Sequence, residues 1–290
     1  MAAWEKKRTE DIEKALPLIS DEPTQIDRIA EIRGWFRPPK DAIFYPAVQE
    51  YMNDAADLKT TVDKVTKPIE EGLKQKSDND QLGDFWYTIL HSAKRISYSN
   101  PDQHAKLVQL VKAIKEHPEP SPERPTYKNL SGLGLAAREA YNDIPRYDVG
   151  SVPQEIHAWT NFNYFLARLT DSGVWETYLY VIWAMREALE KTPEPLPWWY
   201  DANVPAAAVW VLGLGKKVYE KEEDLTPKDP NQGNPARGGD LWTGGPVFSK
   251  ERWAFWKKRF GEVGKHEGVN DETKDIAKQA VEAMEKAEST

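Results

Sequence analysis

The sequence predicts an all-α fold, a single irregular bundle of about nine to eleven helices with no sheet. Apolar residues recur every three or four positions over most of the chain, which is the period of one helix face. No stretch alternates apolar and polar residues for long enough to form a sheet strand, and no repeat of fixed period is present. We therefore expect one domain over residues 1–290.

Residues 1–76 predict short helices followed by a long one. Prolines interrupt the helical pattern over residues 1–40. Apolar residues from Ala47 to Leu73 recur at helical spacing. This spacing predicts one helix that is kinked or split at Pro68, because proline removes a backbone hydrogen bond.

Residues 80–125 predict two amphipathic helices and a connector. The first helix carries apolar residues at helical spacing from Leu82 to Ile96. Asn100 and Pro101 stand at the cap and the first position of the second helix, where a polar acceptor and a residue without an N–H are favoured. The segment 117–125 (HPEPSPERP) predicts an extended connector and is the best candidate for an internal boundary.

Four further helices are predicted over residues 133–141, 153–170, 174–191 and 205–222. The last of them is apolar nearly all round at its start, as expected for a buried central helix. Prolines between residues 193 and 197 break the helix that precedes it. A long loop rich in Pro, Gly, Asn and Asp then covers residues 223–246.

The segment Gly238–Phe260 concentrates aromatic residues around clear helix signals. Ser249 is expected to cap a helix, with Phe248 and Trp253 at the two positions of a hydrophobic staple. We expect Arg252, which lies beside the aromatic rings, to form an internal ion pair. Three aromatic residues share one face of this helix and are predicted to be buried: Trp253, Trp256 and Phe260.

The last predicted helix begins after Asn270, which is expected to cap it. Its apolar stripe is thin and made mostly of small residues: Ala277, Ala280, Val281 and Met284. Because so little apolar area is available for burial, we expect this helix to dock weakly and to fray.

Charge and composition restrict the classes of function. The formal net charge is −8 and the sequence pI about 5.4, whereas a nucleic-acid surface needs a basic stripe. Cysteine is absent, which excludes disulfides, thiolate nucleophiles and cysteine-ligated zinc. No signal peptide is visible, and no apolar run approaches the about 20 residues of a membrane helix. We expect a cytoplasmic protein without a nucleic-acid or membrane partner.

No motif for a metal or a cofactor is complete. Gly132 and Gly134 follow no predicted strand and lack the acidic partner of a dinucleotide site. Asp54 and Asp57 lie one helical turn apart, but the other carboxylates of a terpene-cyclase-type magnesium site are missing. The five histidines include no i,i+4 pair. We therefore expect no metal site and no cofactor.

One polar helix face is a candidate catalytic site. Its residues follow one another at helical spacing after Pro153, opposite the apolar face of the same helix: His157, Asn161, Tyr164 and Arg168. If this face lines a cavity, it supplies an acid or base, an amide, a phenol and a cation. If it meets water, it is only a solvated face. Both interpretations stay open.

The twelve tryptophans also allow two interpretations. They pack between helices, or some of them line a ligand pocket, because an indole combines a large apolar area with an N–H donor. The candidate ligand-binding residues are Trp159, Trp198, Trp199, Trp242 and Arg252.

One predicted function is the non-catalytic binding of a protein partner or a small apolar molecule. The alternative is a cofactor-independent cyclase or isomerase that acts on an apolar, natural-product-like molecule, which a closed cavity of at least about 300 Å³ would favour.

Five blocks occur in an order that is typical of one known family. They are Phe85-Trp86 with Ala93 and Ile96, QHAKLVQLV at 103–111, WTNFNYFLARLT at 159–170, PAAAVW at 205–210, and the segment 241–260 with Glu251-Arg252-Trp253 and Phe255-Trp256-Lys257. Over roughly residues 80–285 the chain thus resembles the fungal Domain of Unknown Function 3632 family. The resemblance implies a fungal, intracellular, mostly helical protein without an assigned activity, and it carries over no catalytic residue.

Overall fold

The computed structural model describes residues 3–37, 42–75, 81–120, 125–191, 196–229, 231 and 233–289. Within these ranges the chain forms twelve α-helices, two short 3-10 helices and one pair of two-residue strands. The predicted all-α class is confirmed. The twelve helices of the described ranges are slightly more than the predicted nine to eleven, and the only addition to the all-α pattern there is this pair of two-residue strands.

The chain divides into two compact units, Met1–Phe165 and Leu166–Thr290, with the boundary inside a helix. The prediction of one domain over the whole chain stays a prediction.

The helices of the first unit are α1 (Ala3–Ala15), α2 (Glu22–Arg33), α3 (Tyr45–Met52), α4 (Leu58–Gln75), α5 (Gln81–Arg95), α6 (Pro101–Lys115), α7 (Leu133–Tyr141) and most of α8 (Pro153–Asp171), with 3-10 helices at Leu16–Leu18 and Tyr147–Val149. The elements of the second unit are α9 (Tyr178–Leu189), α10 (Pro197–Glu220), β1 (Glu223–Asp224), β2 (Val247–Phe248), α11 (Lys250–Val263) and α12 (Asp271–Ser289).

Side-chain caps begin several helices, as the sequence predicts. The side-chain oxygen of Asn100 accepts the backbone N–H three residues further on at 3.3 Å. Ser249 and Asn270 make the same contact at 3.2 and 2.7 Å. Each cap satisfies an N–H that has no partner within its own helix, so α6, α11 and α12 begin where expected.

The helix predicted from Ala47 to Leu73 is two helices, α3 and α4, and the break lies at residues 53–57. Asp54 has a φ of 59°, a left-handed conformation that cannot continue an α-helix. Asp57 begins α4, because its carboxylate accepts the N–H three residues further on at 2.8 Å. Pro68 lies inside α4, where burial of the apolar face outweighs the one hydrogen bond that proline removes.

In the second unit, α10 begins at Pro197 rather than at Pro205 as predicted. Pro197 suits the first turn of a helix, because the N–H that it lacks has no partner there. Pro205 lies inside α10, and every residue from Ala202 to Val211 is buried, so the predicted all-round burial of this helix is confirmed. The earlier start places Trp198 and Trp199 in the first turn of α10.

The expectation that the last helix docks weakly is wrong. α12 packs against both α10 and α11, and Ala277 and Ala280 are completely buried. A methyl group placed on Gly215 of α10 would lie 3.9 Å from the Cβ of Ala287 of α12. The small residues that make the stripe look thin therefore allow the two helices to approach closely, which compensates for the small area of each side chain.

The aromatic face of α11 is buried as predicted. Trp253, Trp256 and Phe260 expose 2%, 1% and 0% of their surfaces. β1 and β2 pair as antiparallel strands, with Glu223 opposite Phe248, at the two ends of the loop that was predicted over residues 223–246. The pairing brings the chain back to the start of α11.

In the first unit, α5 packs against α2, α3, α4, α6 and α7. Every residue from Thr88 to Lys94 is buried. α5 is therefore the central helix of this unit, and two of its buried residues, His91 and Lys94, carry titratable groups.

Candidate functional site

Gly34 positions two aromatic residues that face α5. It ends α2 in the left-handed conformation, with φ of 85°, and the N–H groups of Gly34 and Trp35 both bond to the carbonyl of Ala30, at 2.9 and 3.2 Å. This glycine cap turns the chain sharply after the helix. Trp35 and Phe36 consequently lie beside the stripe of α5 that carries His91.

His91 is held in a network of polar side chains. Its Nε2 lies 2.7 Å from Oδ1 of Asp27 on α2. The same carboxylate accepts the hydroxyl of Tyr45 at 2.9 Å and lies 3.0 Å from Nε of Arg95. Phe36 stacks on the imidazole, with 4.3 Å between ring centres. The ring is thus fixed on one edge and covered on one face.

The protonation of His91 follows from its surroundings. Burial lowers the pKa of His91, the Asp27 carboxylate opposes this shift, and the cations of Lys94 and Arg95 add to it. The net direction favours a neutral imidazole. Because a carboxylate only accepts hydrogen bonds, Nε2 carries the proton, and Nδ1 is left as an acceptor without a partner among the described residues.

Lys94 is a second buried titratable group on α5, one turn after His91. Its side chain is 4% exposed, and Nζ donates to Oδ2 of Asp143 at 2.7 Å. The ammonium also lies 3.9 Å from the ring centre of Trp35, which is cation–π geometry. Burial lowers the pKa of Lys94, and the Asp143 carboxylate opposes that shift.

These residues border a cleft of about 250 Å³. Its lining combines aromatic, aliphatic and charged side chains: Trp35, Phe36, Tyr87, Leu90, His91, Lys94, Glu139, Ala140 and Asp143. A second cleft, of about 210 Å³, shares Trp35, Phe36 and Tyr87 with the first and is also lined by Gly34, Arg37, Ala42 and Asp84. Apolar walls with a few converging polar groups are typical of small-molecule sites.

The predicted polar face of α8 is engaged residue by residue with different partners. His157 pairs with Glu22, and Arg168, in the second unit, pairs with Asp171 at 3.1 Å. Asn161 is buried. Its side-chain amide donates to the carbonyl of Lys94 at 3.0 Å and accepts the backbone N–H of Tyr98, just after α5, at 2.8 Å. Asn161 therefore fastens α8 to the end of α5.

Tyr164 is also buried, and its ring lies edge-on to His104 at 4.9 Å between centres. None of the four residues of the predicted face is among the residues that line the two clefts. Their catalytic role stays a prediction.

The predicted ligand-binding tryptophans lie in both units. Trp159 is buried in the first unit, edge-on to Tyr141 at 4.7 Å. Trp198 and Trp199 lie in the first turn of α10, where the indole N–H of Trp199 donates to a backbone carbonyl of α9 at 2.7 Å. Trp242 donates to the carbonyl of Gly245 at 2.9 Å. None of them lines either of the two clefts, and their ligand-binding role stays a prediction.

Arg252 forms the internal ion pair that was predicted. Its guanidinium donates to both carboxylate oxygens of Glu190, at 2.9 and 3.1 Å, and both side chains are 0% exposed. The same carboxylate accepts the indole N–H of Trp256 and the backbone N–H of Gly239, each at 2.7 Å. Arg252 also lies 5.6 Å from the ring centre of Trp242. With both oxygens of Glu190 occupied, this cluster is a structural clamp.

Two further findings concern the described part of the chain. No group of three or more His, Asp or Glu side chains there is arranged to hold a metal ion. None of the helices described is both long and apolar enough to cross a membrane.

The cleft was not identified from the sequence, although the spacing of side chains on α5 indicates the wall that this helix contributes. Tyr87, Leu90, His91 and Lys94 follow an i, i+3, i+4, i+7 pattern, which is a second stripe on α5 beside its apolar face. No signal identifies the other half. Asp27 and His91 are 64 residues apart, and the partners Trp35 and Asp143 lie in loops.

Comparison with known proteins identifies the family but no activity. No curated protein and no solved structure matches the chain. The family described as "Protein of unknown function (DUF3632)" matches residues 86–260. That span includes the cleft residues of α5 from Tyr87 onwards and those of α7, whereas Trp35 and Phe36 precede it. Because the match covers more than half of its 290 residues, the chain belongs to the DUF3632 family of proteins of unknown function.

Proposed function

We propose that the protein binds a small molecule in the aromatic cleft of its first unit. The observation that carries this proposal is the stripe Tyr87, Leu90, His91 and Lys94 of α5, which together with Trp35 and Phe36 borders a space of about 250 Å³. The aromatic walls supply apolar contact area, and the few polar groups orient a ligand. The volume of about 250 Å³ is slightly below the about 300 Å³ at which ligand pockets usually begin, so the cleft suits a ligand of one or two rings.

A fragment screen on the full-length protein tests this proposal. We expect compounds with one or two rings to raise the melting temperature and to quench tryptophan fluorescence. The variant Trp35→Ala should lose these effects, because it removes one wall of both clefts. Trp4→Ala is the matched control, since Trp4 is 58% exposed on α1 and lines neither cleft. Equal responses from both variants would contradict binding at this cleft.

One observation supports a cofactor-independent enzyme as the second candidate. His91 lines the cleft and is bonded to a carboxylate through Nε2, while its Nδ1 is buried and has no hydrogen-bond partner among the described residues, so a ligand would have to reach it inside the wall of the cleft. Such a histidine is suited to remove a proton from a carbon acid, which is the first step of many isomerisations. In this proposal His91 has the role that the sequence suggested for His157.

Deuterium exchange separates binding from catalysis. Ligands from the screen are incubated with the protein in D₂O and followed by proton NMR. An isomerase exchanges an acidic C–H of its ligand faster than buffer does, and His91→Gln loses exchange while ligand binding is kept, because glutamine can still donate to Asp27. If no ligand exchanges, the protein binds without this chemistry.

A further inference from the structure

We infer that the cleft selects a ligand with an organic ammonium group attached to a ring or a short aliphatic chain. This inference rests on the proposed binding function and names the chemical class of the ligand. It follows from two properties of the cleft, its aromatic walls and the charge that is left after its internal ion pair is formed.

The aromatic walls attract cations. Trp35, Phe36 and Tyr87 border both clefts, so a ligand in either one meets three ring systems. The face of an aromatic ring is electronegative, and organic ammonium ions bind to it. Nζ of Lys94 already lies 3.9 Å from the ring centre of Trp35, so a ligand ammonium would contact the aromatic surface of the cleft that Lys94 does not cover.

The charge of the larger cleft also favours a cation. Two carboxylates, Glu139 and Asp143, and one ammonium, Lys94, line it. Asp143 accepts from Lys94 at 2.7 Å, so these two charges largely cancel. Burial lowers the pKa of His91 from its ordinary 6.5, so this imidazole adds no positive charge to the cleft at pH 7.5. One negative charge, that of Glu139, remains.

Glu139 is available to a ligand. It is exposed on α7, and its carboxylate has no ion pair or side-chain hydrogen bond with any described residue. An anionic ligand would be repelled by Glu139 and would have to separate Lys94 from Asp143. A cationic ligand meets neither cost, because the existing pair stays intact and Glu139 gains a partner.

Three probes that share a four-carbon phenylalkyl skeleton and carry a positive, a neutral or a negative head group test the inference: 4-phenylbutylammonium, 4-phenylbutanol and 4-phenylbutanoate. Their dissociation constants are measured at pH 7.5 by calorimetry and by NMR titration of the full-length protein. We expect the ammonium to bind roughly fivefold more tightly than the alcohol, from a cation–π contact and one exposed ion pair, and the carboxylate to bind most weakly.

Two variants locate the selectivity. Glu139→Gln keeps the size of the side chain and should reduce the preference for the ammonium by about two- to threefold. Glu282→Gln, an exposed change on α12, should leave the preference unchanged. If the alcohol or the carboxylate binds as tightly as the ammonium in a Trp35-dependent manner, the inference is overturned while the binding function stands. If neither these probes nor any compound of the screen binds, the proposed function itself fails.

Discussion

Replacing Glu190 by glutamine should be among the most destabilising single changes in the second unit. The carboxylate accepts four hydrogen bonds, two from Arg252 at 2.9 and 3.1 Å and one each from Trp256 and Gly239 at 2.7 Å. Glutamine has nearly the same shape, but its NH₂ group would face N–H donors where an oxygen now accepts. The change also leaves the guanidinium of Arg252, which is 0% exposed, without a counter-charge.

The expected loss can be stated from these contacts. Removing one partner of a buried ion pair costs about 3–5 kcal/mol, because the other charge stays buried and unpaired. A folded domain has a free energy of unfolding of only about 5–15 kcal/mol. We therefore expect Glu190→Gln to lower the free energy of unfolding of the second unit by about 3–5 kcal/mol and its melting temperature by roughly 10–20 °C.

Urea denaturation followed by near-UV circular dichroism and tryptophan fluorescence measures this loss. Glu187→Gln is the matched control, because Glu187 lies in the last turn of α9, three residues before Glu190, but forms a partly exposed pair with Lys191 at 3.1 Å. The control should change stability by less than about 1 kcal/mol. Replacing both members of the buried pair, Glu190→Leu with Arg252→Met, should recover part of the loss, since no buried charge is then left unpaired. A loss below about 1 kcal/mol for Glu190→Gln would refute the reasoning.

Other changes test the remaining structural conclusions. Asn161→Ala should destabilise the first unit by about 1–3 kcal/mol in urea denaturation, because one buried and one part-buried backbone group lose the side chain that they bond to; an unchanged midpoint would exclude the fastening role. The folded state holds the pKa of His91 below its ordinary 6.5, so only the unfolded state gains that proton on acidification. Stability should therefore fall as the pH drops below about 6.5, and His91→Gln should flatten this slope by up to about 1.4 kcal/mol per pH unit; parallel slopes would contradict a neutral His91. Gly239→Ala should cost about 1–3 kcal/mol because its methyl group would lie 2.4 Å from the carbonyl of Glu190, whereas Gly261→Ala, with open space around it, should stabilise α11 by about 0.5–1 kcal/mol; thermal melts of both variants measure the contrast.

Part of the fold was predictable because the responsible interactions are local. Asn100, Ser249 and Asn270 each cap a helix by accepting a backbone N–H three residues away. The start of each helix can therefore be predicted from a few neighbouring residues. Periodicity likewise identified the buried faces of α10 and α11, since a helix face is defined by its own sequence.

The errors arose where packing overrode local preference. Pro68 and Pro205 were expected to break or begin helices, yet both lie inside one, because the apolar faces around them are buried. α12 was expected to dock weakly because its apolar area is small. The sequence alone does not show how closely two helices approach when alanine and glycine line their contact.

The sequence by itself determined the all-α class, several helix starts, the buried aromatic face of α11 and the presence of an internal ion pair at Arg252. Only the tertiary structure decided which acid completes that pair, Glu190, and which residues surround His91. Glu190 and Arg252 are 62 residues apart, and Asp27 and His91 are 64 apart. The physical reason is that helix formation depends on contacts within about one turn. A cleft or a buried charge cluster depends on which faces of distant helices meet, and that information is spread over the whole chain.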